Sequence, residues 1–307
     1  MGGIQVEPTG VLILDKDSGM TSHDCVFKLR KLFQTKKVGH TGTLDPEVTG
    51  VLPICLGRAT KLSRFLTDEG KRYAAEITIG TATMTEDAYG EVVETREVGP
   101  EAFTAADIDR VLETLTGKIE QIPPYFSAVK VNGKKLYEYA RKGQTVERPR
   151  RIVEIHRLVR TTDPIIEDGV CRFRIDVECG KGTFIRTLAV QIGERLGYPA
   201  HMSDLRRTRS GSFEETDAVT LRQLGEMETV EERMSHLIPL EDVIKRWPAM
   251  TIPANRERYI RNGGRLNDVS LEFELFTVYN EEGIPLALYR RLDGTTDATV
   301  EVMLTID

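Results

Sequence analysis

The side chains best suited to chemistry lie in residues 39–57, GHTGTLDPEVTGVLPICLG. Asp45 precedes Pro46, and this keeps the carboxylate out of a helix and on a loop. The apolar run that follows, VLPICL, anchors the loop in the core, and His40 lies five residues before the carboxylate. A loop carboxylate can act as a nucleophile or transfer a proton. The residue types alone also permit an ordinary Asp-Pro turn with a polar loop histidine.

A second candidate segment is CGKGTFIRTL, residues 179–188. Its Gly-Lys-Gly turn leads into a predicted helix with Arg186 near the start. Lys181 and the free N–H groups there could hold an anion, but the GxxxxGK[ST] pattern of a phosphate loop is missing. Arg186 suits either a substrate contact or a structural ion pair.

The third segment, QIPPYFSAVKVNGKKLYEYAR (residues 121–141), predicts a turn-rich basic hairpin. Residues 118–160 carry 11 Lys and Arg against four acidic residues, whereas residues 213–245 carry nine acidic residues against three Lys and Arg. The net charge of the whole chain is −6. Such segregation favours a polyanion-binding face on the basic side, with the acidic side turned away. A solvated surface whose charges average out is the alternative. The tyrosines among these Lys and Arg residues suit stacking on unstacked nucleobases, and they equally suit an ordinary core.

The elements that must position these segments alternate without a strict βαβ order, which predicts an α+β fold with a mixed sheet. Strands are predicted at 11–15 (VLILD), 71–79, about 152–160 and about 170–179. Helices are predicted from Ser22 as N-cap, after the Thr104/Asp107 capping box, and from about Arg186 to Leu196, with Gly197 as the stop.

Length and composition limit the possible classes of protein. The 307 residues, 40% of them hydrophobic, predict one large domain and a smaller one, and no run is long enough to span a membrane. The N-terminus lacks a signal-peptide pattern, so a cytoplasmic location is expected. Four scattered cysteines predict buried thiols rather than disulfides or a zinc site. After Pro248 a small β-rich module is expected, with a boundary within 236–252.

Five motifs, in this order, closely resemble those of bacterial tRNA pseudouridine-55 synthases of the TruB family. They are VLILDKDSGMTSHD, KKVGHTGTLDPEVTGVLPICLGRATK, KRYAAEITIG, QIPPYFSAVKVNGKKLYEYAR and CGKGTFIRTLA, and the resemblance spans about residues 10–210. It implies a pseudouridine-synthase-like, mostly antiparallel sheet flanked by helices in a catalytic domain at 1–240. It also implies an RNA-gripping insertion at about 121–151 and a PUA-like module at 241–307.

The resemblance assigns a role to each matching residue. Asp45 of GTLDP matches the catalytic aspartate, and Arg186 matches the arginine that pairs with it. Tyr73 of KRY matches the aromatic residue that stacks on the target base. His40 resembles the residue that enters the RNA stack beside the flipped base, and Leu205 of SDLRRTRSG resembles the apolar residue near that base.

Further residues are expected to contact RNA or to tune the site. A bidentate pair with Arg186 is expected to keep Asp45 ionised. For Lys16 the alternative to a phosphate contact is bracing of the turn at Gly19. The expected RNA contacts are Lys16, Lys130, Lys134, Lys135 and Arg141.

The implied reaction converts the T-loop uridine of tRNA, position 55, to pseudouridine after the base is flipped out. It needs no cofactor or metal. The expected partner is the T-arm of tRNA, with a monomeric protein and with no membrane or obligatory protein partner. Attack by Asp45 on sugar or base and proton transfer at the sugar both remain open.

Three other functions compete with this one. A non-catalytic RNA-folding protein would not need Asp45, although a folding role could coexist with catalysis. A glycoside hydrolase of small molecules would need a second convergent carboxylate. A guide-RNA-dependent relative would resemble this chain less and would usually need partner proteins.

Overall fold

A computed structural model of the chain describes residues 7–270 and 272–304. The strands, numbered in chain order, are β1 (Gly10–Lys16), β2 (Val38–His40), β3 (Thr49–Leu56), β4 (Lys71–Ile79), β5 (Thr81–Thr83), β6 (Val92–Thr95), β7 (Gly117–Gln121), β8 (Lys130–Val131), β9 (Lys134–Lys135), β10 (Arg151–Arg160), β11 (Ile165–Glu167), β12 (Val170–Cys179), β13 (Ala200–Ser210), β14 (Phe213–Glu214), β15 (Val219–Thr220), β16 (Leu237–Ile238), β17 (Ala249–Thr251), β18 (Leu275–Tyr279), β19 (Pro285–Arg291) and β20 (Ala298–Met303).

The helices lie mostly between the long strands. They are α1 (Ser22–Leu32), α2 (Ser63–Thr67), α3 (Ala105–Thr114), α4 (Leu136–Ala140), α5 (Ile185–Leu196), α6 (Leu221–Glu226), α7 (Val230–Met234), α8 (Leu240–Ile244) and α9 (Ala254–Arg261), with 3₁₀ turns at Gly57–Leu62 and Glu215–Asp217.

Twelve of the described strands form one sheet, in the order β15-β1-β3-β13-β4-β12-β10-β7, with β2, β11, β14 and β16 paired at its margins. Its pairs are antiparallel except β1 with β15 and β3 with β13. The predicted mixed, mostly antiparallel sheet flanked by helices is therefore confirmed. Alternation along β4 buries Tyr73, Ala75, Ile77 and Ile79, as its period-2 pattern predicts.

The start of the first helix differs by one residue from the prediction. Thr21 is the N-cap: its hydroxyl accepts from the Asp24 backbone N–H at 3.0 Å, and the Asp24 carboxylate accepts from the Thr21 backbone N–H in return. Ser22 is the first helical residue and is buried. Its hydroxyl is instead hydrogen-bonded to both backbone groups of Leu44. The predicted cap at Ser22 is therefore wrong, because Thr21 offers the same hydroxyl one residue earlier in an extended conformation.

The C-terminal β-rich module is present as the four-stranded sheet β17-β18-β19-β20. It has its own core, in which Phe276 stacks on Tyr289. Leu288, Val302 and Leu304 face the other way and pack with residues of β1 and β3, so the module rests directly on the large sheet. The alternating sequence ATVEVMLTI predicts a strand that reaches Ile306; β20 covers Ala298–Met303, and Ile306 lies outside the described residues.

The four cysteines are free and buried, as predicted. In the part of the chain that the structure describes, no helix is both long and apolar enough to cross a membrane. The same residues contain no group of three His, Cys, Asp or Glu side chains placed to hold a metal ion.

Candidate active site

A cleft of about 480 Å³ opens beside the centre of the large sheet. Asp45, Tyr73, Arg186 and Leu205 all line it, although they come from four separate parts of the chain. Tyr73 lies on β4 and Leu205 on the neighbouring β13, whose register pairs Leu205 with Ala75. Asp45 lies in the turn between β2 and β3, and Arg186 in the first turn of α5. Four of the predicted site residues therefore meet in one cleft.

Asp45 and Arg186 form an ion pair that joins the turn to the helix. The Nε atom of Arg186 lies 3.0 Å from Oδ2 of Asp45. The two Nη atoms point elsewhere and donate to the backbone carbonyls of Thr85 and Phe126, each at 2.9 Å. The predicted bidentate pair is therefore wrong. Nε is the atom of the guanidinium that faces the carboxylate, because each Nη is directed at a backbone carbonyl.

Burial dominates the acidity of Asp45. It raises the pKa of the Asp45 carboxyl above its ordinary value and outweighs the opposite effect of Arg186. Asp87 raises this pKa as well; its Oδ2 lies 4.0 Å from Nη1 of Arg186. Arg186 lowers the pKa of Asp45, as expected, but the net change is upward. The carboxylate is therefore more basic than that of a surface aspartate. Greater basicity suits a group that must attack carbon or accept a proton.

Lys16 holds the turn that carries Asp45. Its side chain is 0% exposed, and Nζ donates to the carbonyls of Pro46 and Val48 at 2.7 Å and of Asp17 at 2.9 Å. Three bonds use the three ammonium protons. A second link joins the backbone N–H of Gly19 to Pro46 O at 3.1 Å. The structure therefore does not support Lys16 as a phosphate contact: its ammonium is buried under the turn, and the alternative of a bracing role fits.

Replacing Lys16 by Met should destabilise the protein without changing the charge of the exposed surface. Three carbonyls, that of Val48 fully buried and those of Asp17 and Pro46 partly buried, would lose the ammonium as donor, which we expect to lower the free energy of unfolding by about 2–4 kcal/mol. Urea denaturation followed by circular dichroism measures the change. The control is Lys36→Met, at an exposed lysine outside the cleft. A loss for Lys16→Met no larger than that of the control would show that the three hydrogen bonds do not hold the turn.

Tyr73 and His40 have different surroundings. Tyr73 is 8% exposed, and burial raises the pKa of its hydroxyl, with Arg207 acting in the opposite direction. His40 ends β2 outside the lining of the cleft, and its Nδ1 accepts from the Gly42 N–H at 3.4 Å. Burial, with a smaller effect of Arg207, lowers the pKa of His40. Its imidazole is therefore biased toward the neutral form.

Arg207 was missed by sequence reasoning. It is 1% exposed, and its guanidinium donates to Val51 O at 2.6 Å and to Gly42 O at 3.2 Å, thereby joining both ends of the Asp45 turn. Asp87 was missed as well. Neither has a local signal: Arg207 is one of three arginines in LRRTR, and Asp87 is one of many acids.

The basic hairpin forms beside the cleft from β8, β9 and α4. Lys130, Lys134 and Arg141 are exposed, and Lys130 also lines the cleft. Lys135 is half-buried, with its ammonium 5.4 Å from the ring centroid of Tyr137. Within the described residues, none of these four cations forms an ion pair with a carboxylate. Their charge is free for another partner.

The fold of the large sheet places the protein in the class of pseudouridine synthases. Two solved assemblies share this fold over almost all of the chain. A Cbf5–Nop10–Gar1 complex aligns with TM-score 0.68 and 27% identity, covering 97% of this chain and 85% of that one. An archaeal box H/ACA Nop10–Cbf5 complex aligns with TM-score 0.68 and 25% identity, covering 99% and 89%.

Sequence comparison gives the family. The model for the N-terminal domain of TruB family pseudouridylate synthase matches residues 30–185, and that for the tRNA pseudouridylate synthase B C-terminal domain matches 186–245. The tRNA pseudouridine synthase B of Shouchella clausii (strain KSM-K16) is 53% identical over 93% of this chain and 94% of its own. That of Listeria monocytogenes serovar 1/2a (strain ATCC BAA-679 / EGD-e) is 57% identical over 84% of each chain. The chain belongs to the TruB family of pseudouridylate synthases.

Proposed function

We propose that this protein converts the T-loop uridine of tRNA, position 55, to pseudouridine, with Asp45 as the catalytic residue. The observation that carries the proposal is the ion pair between the half-buried Asp45 and the buried Arg186, in a cleft that Tyr73 and Leu205 also line. Family membership supports the reaction, and the names of the relatives at 53% and 57% identity support tRNA as the substrate.

The reaction is an isomerisation, so its atoms balance without a co-reactant. The N1–C1′ bond breaks, a C1′–C5 bond forms, C5 loses its proton and N1 gains one. Asp45 is the group in the cleft that can attack carbon or transfer a proton, and its raised pKa supports either role. A single carboxylate suffices because no water has to be activated, in contrast to an inverting glycosidase.

The remaining residues of the site receive the flipped base. Extruding a base costs a few kcal/mol, and stacking on an aromatic ring returns about 1–3 kcal/mol. We assign the stacking ring to Tyr73 and the apolar contact to Leu205, since both line the cleft beside Asp45. We assign His40 to the gap left in the RNA, because an uncharged imidazole is easily desolvated.

The hairpin cations Lys130, Lys134, Lys135 and Arg141 are assigned to the RNA backbone. Replacing Lys134 or Arg141 by Met should weaken tRNA binding by a similar factor for all sequences. It should also lower the slope of log affinity against log salt by about 1. Filter binding from 50 to 300 mM KCl measures both quantities, with Lys36→Met as the charge-matched control. Unchanged slopes in both hairpin variants would remove the hairpin from the interface.

The proposal extends to the organisation of the protein. We assign residues 1–240 to the catalytic domain, with the RNA-gripping insertion at about 121–151, and residues 241–307 to a PUA-like RNA-binding module. We further propose that the chain acts in the cytoplasm as a monomer, on the T-arm, without a protein partner. The exposed hairpin supports action without a protein partner, because it supplies the protein with cations of its own for binding RNA.

The decisive experiment uses the purified chain alone and an unmodified tRNA transcript. Carbodiimide treatment followed by primer extension maps each pseudouridine. Conversion at the T-loop uridine is the expected result. Tight binding without conversion would support the RNA-folding alternative, and conversion only after addition of a guide RNA and partner proteins would support the guide-dependent one.

A further inference from the structure

A second cleft, of about 570 Å³, adjoins the catalytic cleft. The two clefts share part of their lining, and the shared residues are Thr43, Tyr73, Arg151, Thr183 and Phe184. The backbone of an RNA strand whose target base occupies the first cleft is therefore within reach of the second.

Cations dominate the second cleft. Its charged lining residues are Lys71, Arg151, Lys181, Arg207 and Asp68. The carboxylate of Asp68 is already paired with Lys181, with 2.9 Å between Nζ and Oδ2. The lining therefore has a surplus of positive charge facing the open space.

Lys71 and Arg207 form the floor of the second cleft, and both are buried without a counter-ion. Lys71 is 8% exposed, and its Nζ donates to the carbonyls of Thr67 and Glu69, each at 2.7 Å. Arg207 is more deeply buried and donates to carbonyls as well. Over the described residues, neither cation has a carboxylate oxygen within 4 Å. Burying a charge without a counter-charge is costly, so an anion that reached this floor would gain an unusually strong interaction.

The floor also touches the catalytic turn. An added Cβ on Gly42 would lie 3.6 Å from Cε of Lys71 and 3.7 Å from Nη1 of Arg207. Gly42 has φ +124°, a conformation that suits glycine. The backbone three residues before Asp45 therefore lies against both cations, so an anion bound there would be placed relative to the catalytic carboxylate.

We propose that the second cleft binds one backbone phosphate of the RNA strand next to the target uridine, with Lys71 as the donor at its floor. The proposal rests on the proposed function and adds a site to it. Lys71 has one ammonium proton left after its two carbonyl bonds, and a phosphate oxygen would accept it. Lys181 and Arg151 lie at the exposed rim, and Arg207 contributes its charge from below.

The charge on Lys71 changes within an accessible pH range. Burial and the neighbouring Arg207 lower the pKa of Lys71 to about 8, while Cys179, Glu69 and Asp68 act in the opposite direction. The ammonium is charged below that pH and neutral above it. RNA binding by the wild type should therefore weaken between pH 7 and pH 9 by more than that of Lys71→Met, which has already lost the contact.

The first test compares Lys71→Met with Lys36→Met on a T-arm stem-loop RNA. Met fills the space of the lysine stem, and circular dichroism checks the fold of each variant. Lys71→Met should bind about 5–20-fold more weakly, with a salt slope lower by about 1, and the control should match the wild type. If Lys71→Met fails to fold, Lys181→Met at the exposed rim takes its place in the test. Lys181→Met should change affinity and salt slope in the same direction by a smaller amount. Equal affinities and slopes for all three variants would overturn the proposal, while pseudouridine formation by the wild type separately tests the proposed function.

The second test identifies the phosphate. Methylphosphonate is substituted at one T-loop position at a time, which removes a single backbone charge. At one position next to the target, the substitution should weaken wild-type binding and have no effect on Lys71→Met, a coupling that a general loss of charge does not produce. Additive effects at every position would overturn the assignment to RNA. Competition by millimolar inorganic phosphate together with additive effects would instead indicate a site for free phosphate.

Discussion

Replacing Asp45 by Asn is expected to abolish pseudouridine formation and leave tRNA binding nearly unchanged. The amide keeps the shape of the carboxylate but can neither attack carbon nor accept a proton at neutral pH. Loss of an essential nucleophile or base typically costs on the order of 10⁴-fold or more in the rate of the chemical step. The hairpin lies outside the Asp45 turn, so we expect the tRNA dissociation constant to stay within about threefold.

The measurement is single-turnover conversion of a radiolabelled tRNA, beside filter binding of the same RNA. The matched control is Glu47→Gln, which neutralises a second carboxylate of the same turn whose Oε2 accepts from Ser18. Glu47→Gln should convert tRNA at a rate within about threefold of the wild type. An Asp45→Asn variant that keeps more than about one hundredth of the wild-type rate would contradict the catalytic assignment.

Replacing Arg186 by Met should have the second-largest effect, a loss of about 10²–10³-fold in the single-turnover rate. The Arg186 side chain is 6% exposed and links Asp45 to the carbonyls of Thr85 and Phe126. Without it, the carboxylate loses both its orientation and its nearest cation. Arg195→Met, at an exposed position in the last turn of the same helix, is the control and should be close to the wild type.

The pH dependence of the same variants separates an electrostatic role from a structural one. Activity requires ionised Asp45, so the wild-type rate falls as pH drops through a pKa that burial has raised above the ordinary value for aspartate. In Arg186→Met, burial and Asp87 still raise that pKa, and the opposing cation is gone. The acid limb should therefore move to higher pH, whereas Arg195→Met should keep the wild-type limb. A lower rate with an unmoved limb would mean that Arg186 only supports the fold.

Much of this molecule could be predicted from local patterns. The alternation along Lys71–Ile79 places Tyr73 on the buried face, because period-2 burial depends only on a sheet having one face in the core. The capping box at Thr104 and the left-handed Gly197 mark helix ends for equally local reasons. The residues that meet in the cleft followed from the resemblance of their motifs to the TruB family, because the residue types around Asp45 and Arg186 left structural roles open.

Tertiary structure alone decided which partner each buried cation of the site has. Lys16 is charged, and a charged side chain is usually exposed, yet it lies buried under carbonyls about thirty residues further along the chain. Arg207 crosses to Gly42 and Val51, more than 150 residues away. Arg186 turns Nε toward Asp45 because two distant carbonyls orient its Nη atoms away from the carboxylate. Sequence periodicity records which face of an element is buried. The partner of a buried charge depends on which backbone groups the folded chain brings within about 3 Å, and no local pattern contains that information.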